Sequence, residues 1–201
     1  MRVRALVILV WILSSELTAG AEVITYPGPA GIQPSDQYAV EVVQGGQAKS
    51  SFVYITHAQW RTNRSRTTSW TTFSCAGPVT VKVMKLTGRF STCRVLPTSY
   101  RIQPRVDANS IAFELDRPRQ VSVEFDDDTT HPMLVFANPL EHDVPQQGDR
   151  GVMFFGPGVH DVGEVLDVPS NTTVYLAGGA YVRGRLNSYN ARNIKIGRAH
   201  V

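Results

Sequence analysis

The fold follows from one stretch, Val152–Leu186, which reads "VMFFGPGVHDVGEVLDVPSNTTVYLAGGAYVRGRL". Met153, Val174 and, further along, Ile194 each mark a very short segment of strand-forming residues, and they lie 21 and 20 residues apart. A period of about 20 residues indicates a solenoid. Because Gly and Asn turns separate the segments and no helical periodicity lies between them, the pattern favours a parallel β-helix over a leucine-rich repeat.

A second series of short apolar segments, Val165–Val168 and Tyr181–Arg183, lies between the members of the first. In such a fold each coil stacks on the next, and a one-residue slip would turn every inward side chain outward. We therefore predict the start of a parallel β-helix over residues 152–196.

The chain ahead of this stretch repeats a different element, four to eight strand-forming residues bounded by Gly, Pro, Asn or Asp. In "VTVKVMKL", Val79–Leu86, apolar residues alternate along most of the segment, as in a half-buried strand. The pattern predicts strands at Tyr38–Val43, Ser51–His57, Thr67–Cys75, Val79–Leu86, Arg94–Tyr100, Ser110–Leu115, Gln120–Phe125 and Met133–Ala137. Short strands joined by frequent turns predict an antiparallel β-sandwich, with an open barrel as the alternative.

A polar stretch separates these two sequence patterns. Asn138–Gly151, "NPLEHDVPQQGDRG", has two prolines, two glycines and no periodicity, which is typical of a domain boundary. We place the sandwich at residues 22–140 and the linker at 141–151. The predicted fold class is therefore all-β: an antiparallel sandwich followed by the first coils of a β-helix.

The amino terminus has the pattern of an export signal. Met1–Arg4 is basic, Ala5–Leu13 is apolar, and Ala19–Ala21 supplies small residues for cleavage. The apolar run is nine residues long, well short of the ~20 that span a bilayer as a helix. We predict a signal peptide over residues 1–21, cleavage after Ala21, and a secreted mature protein with no membrane span.

Charge gives little reason to expect a nucleic-acid partner. The formal charge is +3, and removing Arg2, Arg4 and Glu16 with the signal peptide lowers it to +2. No block of five or more Lys and Arg residues occurs, which is typical of an ordinary mixed-sign surface. We predict no nucleic-acid binding.

The two cysteines, Cys75 and Cys93, belong to a chain that we expect to be exported, so we predict a disulfide between them; two buried free thiols are the alternative. No cysteine or histidine spacing typical of a metal site occurs, and no cofactor motif is found, so we predict neither. Asn63 and Asn171 each begin a glycosylation acceptor pattern, relevant only where the source cell glycosylates.

Three aromatic residues are candidates for sugar contact. "WRTNRSRTTSW" interleaves Trp60 and Trp70 with arginines, and Tyr181 lies in the predicted β-helix. Aromatic rings beside arginines can stack on sugars or bases. The alternative is that each Trp packs on a sheet face at a strand end, with the arginines in an exposed loop.

Two further motifs suggest chemistry but are explained better as turns. "VEFDDDTTH", Val123–His131, could bind a metal or divide acid and base roles, yet Asp residues also favour a hairpin turn. His160 and Asp161 could form a dyad, but adjacent residues on an extended chain point to opposite faces. We predict turns at both places.

The stretches "VSVEF" (Val121–Phe125), "MLVFANPLE" (Met133–Glu141) and Val152–Leu186 resemble the front half of the family 49 glycoside hydrolases, the dextranase and isopullulanase group. The similarity extends more loosely to family 28 polygalacturonases. The resemblance implies a β-sandwich that leads into a right-handed parallel β-helix, and a polysaccharide substrate. It covers residues 95–195 well and residues 38–94 by pattern only.

The resemblance also implies that two catalytic aspartates, an acid and a base, lie on later coils. No position here matches that motif, so we name no catalytic residue; Asp161 and Asp167 correspond to turn and structural positions. Gly197–Val201 departs from the family's continuing pattern, and we expect it to be a non-native tail.

We therefore expect the chain to be the amino-terminal fragment of a secreted hydrolase that cleaves O-glycosyl bonds in an α-glucan or a cell-wall polymer. A non-catalytic carbohydrate-binding or adhesion module is the main alternative, and a structural surface protein is a third.

Overall fold

A computed structural model describes residues 22–59 and 65–198. The predicted signal peptide, Trp60, Asn63 and the end of the predicted tail lie outside the described residues. Within them no helix is long and apolar enough to cross a membrane.

Eighteen strands and one 3₁₀ turn make up the regular structure of the described part. In chain order they are β1 (Val23–Thr25), β2 (Tyr38–Gln44), β3 (Gln47–Ser51), β4 (Val53–Gln59), β5 (Ser65–Cys75), β6 (Val79–Lys85), β7 (Cys93–Leu96), the 3₁₀ turn (Thr98–Tyr100), β8 (Arg105–Asp107), β9 (Ser110–Leu115), β10 (Gln120–Phe125), β11 (Met133–Asn138), β12 (Val152–Phe155), β13 (Gly158–Asp161), β14 (Leu166–Asp167), β15 (Thr172–Leu176), β16 (Ala180–Arg183), β17 (Leu186–Asn187) and β18 (Ile194–Gly197).

The first eleven strands form the two sheets of a β-sandwich. The first sheet has the order β1-β5-β11-β10-β7, with β4 also paired to β5, and the second has the order β3-β2-β6-β9-β8. The long β5 pairs along one edge with β4 and then β1, and along the other with β11. All pairs in the sandwich are antiparallel except β5–β11, which is parallel and differs from the fully antiparallel prediction.

The core lies between the two sheets. Alternate residues of each strand face it, as the sequence pattern of Val79–Leu86 predicts: Val81 and Val83 are fully buried, and Phe113 and Phe73 reach them from β9 and β5. Burying each such side chain contributes about 1.5–3 kcal/mol relative to leaving it exposed. The sandwich is therefore held by one continuous apolar layer.

The last seven strands form parallel β-helix coils with three sheets, ordered β12-β15-β18, β13-β16 and β14-β17. Met153 pairs with Val174, as predicted, but Val174 pairs with Ile196 and not with Ile194. The slip is two residues, so Ile194 stays on the predicted face. Val165–Val168 and Tyr181–Arg183 do not pair with each other, because they belong to two different sheets.

The bounds of the sandwich strands differ from the prediction where proline or polar residues occur. The strand expected over Arg94–Tyr100 ends at Leu96, because Pro97 has no N–H for a ladder. The strand expected over Ser51–His57 begins at Val53, with Ser51 ending the separate β3. Three strands, β1, β3 and β8, have no predicted counterpart. No strand lies between Asn138 and Val152, where the linker was predicted.

Candidate functional site

Three stacked rings lie where the coils contact the sandwich. The Tyr54 ring on β4 stacks on Trp70 of β5, with centroids 4.0 Å apart and planes at 11°. On the β-helix side Tyr54 stacks on Tyr181 of β16, at 5.7 Å and 11°. Tyr54 and Trp70 are direct partners across the two strands, which brings their rings face to face. Two of the predicted sugar-contact residues, Trp70 and Tyr181, thus belong to one cluster.

This cluster holds the two parts of the chain together. Tyr54 is only 3% exposed, and the Trp70 Nε1–H donates to the Thr56 hydroxyl at 3.3 Å. One ring face of Trp70 and one of Tyr181 are covered by Tyr54, which leaves less aromatic surface for a sugar than the sequence suggests. Sugar contact by these residues stays a prediction, and that by Trp60 lies outside the described residues. Tyr54 was not predicted, because "VYITHAQ" resembles any half-buried strand.

A second contact between the two parts is polar. The guanidinium of Arg198 lies over the Tyr26 ring, 4.6 Å from its centroid, and donates to the Tyr26 hydroxyl and the Glu141 carboxylate. The Arg198 and Glu141 side chains are 13% and 12% exposed. Burial lowers the pKa of Arg198, but hydrogen bonds to Glu141 and Tyr26 outweigh it and raise the pKa overall.

The same ion pair involves the first β-helix sheet. The Tyr175 hydroxyl donates to Glu141 at 3.2 Å, and burial, together with the Glu141 charge, raises the pKa of Tyr175 to about 12. Gly197 completes β18 and Arg198 packs beside it, so these two residues of the predicted tail are ordered parts of the fold. Their predicted non-native origin stays a prediction.

The β-helix surface has a groove of about 630 Å³ beside the turn after β17. Its most prominent residue is Tyr189, which is 84% exposed. Polar groups surround it: the Asn187 amide donates to the Asp167 carboxylate at 2.6 Å, and Ser170 accepts the Arg192 backbone N–H at 3.0 Å. The groove is lined by Asp167, Val168, Pro169, Ser170, Asn187, Tyr189, Asn190 and Ala191.

These groups match what a sugar requires. A free tyrosine ring can cover the C–H face of a pyranose, and carboxylate, amide and hydroxyl groups can exchange hydrogen bonds with its hydroxyls. The groove is therefore the candidate saccharide-contact site on the coils. Tyr189 was not predicted, because "LNSYN" has the composition of a surface turn.

The acidic cluster forms a hairpin turn, as predicted. Asp126 and Asp127 have positive φ angles of 52° and 57° between β10 and β11, and Asp126 accepts the backbone N–H groups of Ser91 and Thr92 at 2.8 and 2.9 Å. These bonds, from Thr92 first, lower the pKa of Asp126. Its carboxylate is therefore used in joining two loops.

The remaining acids of the cluster are paired as well. Arg94 bonds Glu124 at 2.8 Å and Asp127 at 3.2 Å, and Asp128 accepts the His131 Nδ1–H at 2.7 Å. Among the described residues no group of three or more His, Cys, Asp or Glu side chains could hold a metal ion.

His160 and Asp161 lie in strand β13, so the turn predicted at this place is wrong, and their side chains do not hydrogen-bond each other. The His160 Nε2–H donates to the Gly156 carbonyl at 2.7 Å, and Asp161 accepts the Gly163 N–H at 3.0 Å. Each side chain therefore bonds a backbone group that flanks β13, one before the strand and one after it, and the two form no dyad.

The predicted disulfide is not formed. Cys75 ends β5 and Cys93 begins β7, and β11 and β10 lie between those strands in the first sheet. Three strand spacings amount to about 14 Å, twice the ~7 Å limit for a disulfide. Both residues are free thiols, as in the alternative interpretation, although only Cys75 is buried and Cys93 is half-buried. Burial raises the pKa of Cys75 to about 11, and burial followed by the Asp126 charge raises that of Cys93.

Asn171, the described glycosylation candidate, is exposed at a turn with φ of 60°. Its Oδ1 accepts the amide of Asn193, one coil further on, at 3.1 Å. The side-chain nitrogen to which a glycan would attach makes no hydrogen bond to a described residue, and glycosylation there stays a prediction.

No protein-family model matches the sequence, and no curated protein matches it. The structure is similar to that of Dex49A from Penicillium minioluteum, with a TM-score of 0.58 and 19% sequence identity. The similarity covers 82% of this chain and 47% of that chain, so the chain spans about half the length of this neighbour. The resemblance predicted from the sequence is confirmed as one of fold: the chain shares the β-rich fold of Dex49A, a family 49 glycoside hydrolase.

Proposed function

We propose that this chain is the front part of a secreted glycoside hydrolase that cleaves O-glycosyl bonds in a polysaccharide, an α-glucan or a cell-wall polymer. The similarity to Dex49A supports this, because it extends over 82% of the chain and therefore over parts of both sandwich and coils. Later coils would supply the acid and base carboxylates.

One residue supports the existence of further coils. Ile196 pairs with Val174 across parallel strands, so both side chains point to the same side of the sheet. Val174 is fully buried, whereas Ile196 is 53% exposed. In a parallel β-helix, an inward-pointing isoleucine keeps that much exposed surface when no further coil stacks on its strand.

The coding DNA tests this part of the proposal. We expect the natural reading frame to continue past Ile196 with segments of strand-forming residues every 21 to 22 residues, the spacing of the observed register. An assembled genome that encodes the chain through Val201, followed by a stop codon, would show the proposal of missing catalytic coils to be wrong.

Secretion belongs to the same proposal and rests on the pattern of residues 1–21. Amino-terminal sequencing of protein recovered from the culture medium should begin at Glu22. Recovery of the protein only inside cells, with Met1 still present, would contradict it.

A non-catalytic carbohydrate-binding or adhesion module is the second candidate, favoured by the exposed Tyr189 ring. Affinity electrophoresis in gels that contain a neutral α-glucan should show retardation that Tyr189→Ala abolishes and Tyr189→Phe keeps, because the phenylalanine retains the stacking face. Trp70→Ala tests the sequence-predicted contact in the same gels. Binding by a protein whose reading frame ends at Val201 would favour this candidate over the hydrolase.

A further inference from the structure

The sandwich carries its own groove, on the second sheet. It lies between β9 and the segment that follows the 3₁₀ turn, and its volume is about 570 Å³. The coils contact the first sheet through Tyr54, Trp70 and Tyr181, so the groove belongs to the other layer of the sandwich. Its aromatic and polar lining includes Tyr100, Arg101, Gln103, Arg105, Glu114 and Arg119.

The Tyr100 ring is held in a fixed position. The Arg119 guanidinium lies over it, 4.4 Å from its centroid, and is itself held by two hydrogen bonds to Asp116, at 2.7 and 2.9 Å. The same bonds lower the pKa of Asp116, so the pair is charged at neutral pH. A 39% exposed ring that is held on one side by an ion-paired guanidinium is a preorganised stacking surface.

The charges of the groove do not cancel. Arg105 pairs with Glu114 at 3.3 Å and Arg119 with Asp116, but Arg101 has no acidic partner among the described residues. Three guanidinium groups thus face two carboxylates. The Arg101 backbone is fixed as well, since it ends the 3₁₀ turn with φ of 53° and its N–H bonds the Thr98 carbonyl.

We propose that this groove binds an acidic saccharide, with the carboxylate of a uronate unit on Arg101 and its sugar ring against Tyr100. Arg101 supplies a fork of donors that matches a carboxylate, while Gln103, Glu114 and Asp116 also line the groove and can exchange hydrogen bonds with sugar hydroxyls. The site does not depend on any hydrolytic activity of the coils. It would hold an acidic polymer while the coils act on, or bind, another chain segment.

Calorimetric titration of the whole chain with a galacturonate oligomer tests the proposal, with a galactose oligomer of equal length as the neutral probe. We expect the uronate to bind more tightly, and more weakly as salt is raised. Arg101→Gln should weaken uronate binding about tenfold, the loss of one charge-assisted contact of about 1.4 kcal/mol. Arg101→Lys should weaken it less, because the charge remains.

Arg117→Gln is the matched control, because Arg117 is exposed, lies outside the groove and carries the same charge. It should leave uronate affinity unchanged, and thermal unfolding should show all three variants folded. Equal affinity for the two oligomers, an equal loss with Arg117→Gln, or no binding of uronate would each overturn the proposal. So would equally tight binding of inorganic polyphosphate, which would show selection for charge alone. None of these results bears on hydrolysis, which is assayed separately.

Discussion

The Asp128 carboxylate, in the turn between β10 and β11, couples the stability of the sandwich to pH. Burial opposes its charge, but hydrogen bonds from Thr130 and His131 outweigh burial and lower the pKa of Asp128 from 3.8 to about 2. Since the folded-state pKa lies below the unfolded one, the stabilisation is present above about pH 4 and is lost as the pH falls towards 2.

Asp128→Asn should therefore cost about 1 kcal/mol at pH 7 and almost nothing near pH 2, a figure reduced for the partial exposure of the carboxylate. Urea unfolding at a series of pH values measures this. Asp107→Asn, an exposed acid with no ion pair among the described residues, is the control. An equal cost of Asp128→Asn at pH 7 and pH 2 would refute the coupling.

Gly178 allows the coils to approach the sandwich. A Cβ atom at this position would lie 2.0 Å from Cε1 of the Tyr26 ring, which Arg198 covers and whose hydroxyl bonds Ser74 at 3.0 Å. Gly178→Ala should destabilise the protein by about 1–3 kcal/mol, since a packed ring has to move.

Gly156→Ala is the matched control for Gly178→Ala, because its Cβ would meet nothing closer than 3.4 Å. It should change the free energy of unfolding by less than about 0.5 kcal/mol or raise it slightly, as a Gly-to-Ala change does at an unstrained site. Denaturant unfolding of both variants measures the difference. Equal effects would show that the coils do not approach Tyr26 at Gly178.

The individual strands could be predicted from the sequence where apolar residues alternate along them. Ser110–Leu115 and Gln120–Phe125 were predicted to the residue, because one buried face imposes a period of two. The strand "QAKSS", β3, was missed because four of its five residues are exposed and its pairing with β2 leaves no apolar trace. The two-residue slip at Ile196 could not be predicted either, since the predicted and the observed register both place an isoleucine opposite Val174.

The turns between coils are aligned by asparagines. Asn171 and Asn193 both have positive φ, 60° and 54°, and the side-chain amide of Asn193 donates a hydrogen bond to the side-chain Oδ1 of Asn171. Asn193→Ala loses this bond and forces an alanine into a left-handed backbone, so we expect a loss of about 1–2 kcal/mol. Asn193→Gly loses the bond alone and should cost less.

Hydrogen exchange of the β18 amides measures the effect of both substitutions, because it reports directly on the local opening of this edge strand. Exchange should be fastest in Asn193→Ala and intermediate in Asn193→Gly. Wild-type protection in both variants would show that the asparagine pair does not support β18.

Taken as one molecule, the chain depends on the contact between its sandwich and its coils. Tyr181→Ala removes a ring stacked on Tyr54, and we expect the coils to be destabilised by about 1–3 kcal/mol. Proteases should then cleave residues 139–151 faster. Tyr189→Ala, on the same coils but 84% exposed, is the matched control and should leave cleavage unchanged. An equal cleavage rate in the two variants would contradict a stabilising role for the Tyr54–Tyr181 stack.

The candidate sites were only partly predictable. The sequence indicates Trp70 and Tyr181 as aromatic residues near polar ones, but their contact with Tyr54 depends on how two distant segments pack. Tyr189 and Tyr100 become candidates only once exposure and a groove are known, and neither leaves a local pattern in the sequence. The disulfide prediction failed for the same reason, because chain order does not reveal the two strands between Cys75 and Cys93.

The release of reducing ends from a polysaccharide is the most direct test of the proposed hydrolase activity. The protein encoded by the complete natural reading frame should release them from dextran or from another α-glucan or cell-wall polymer, whereas the 201-residue chain should release none from the same substrates. A complete product that folds and is secreted, yet releases no reducing ends from any polymer of these classes, would contradict the account.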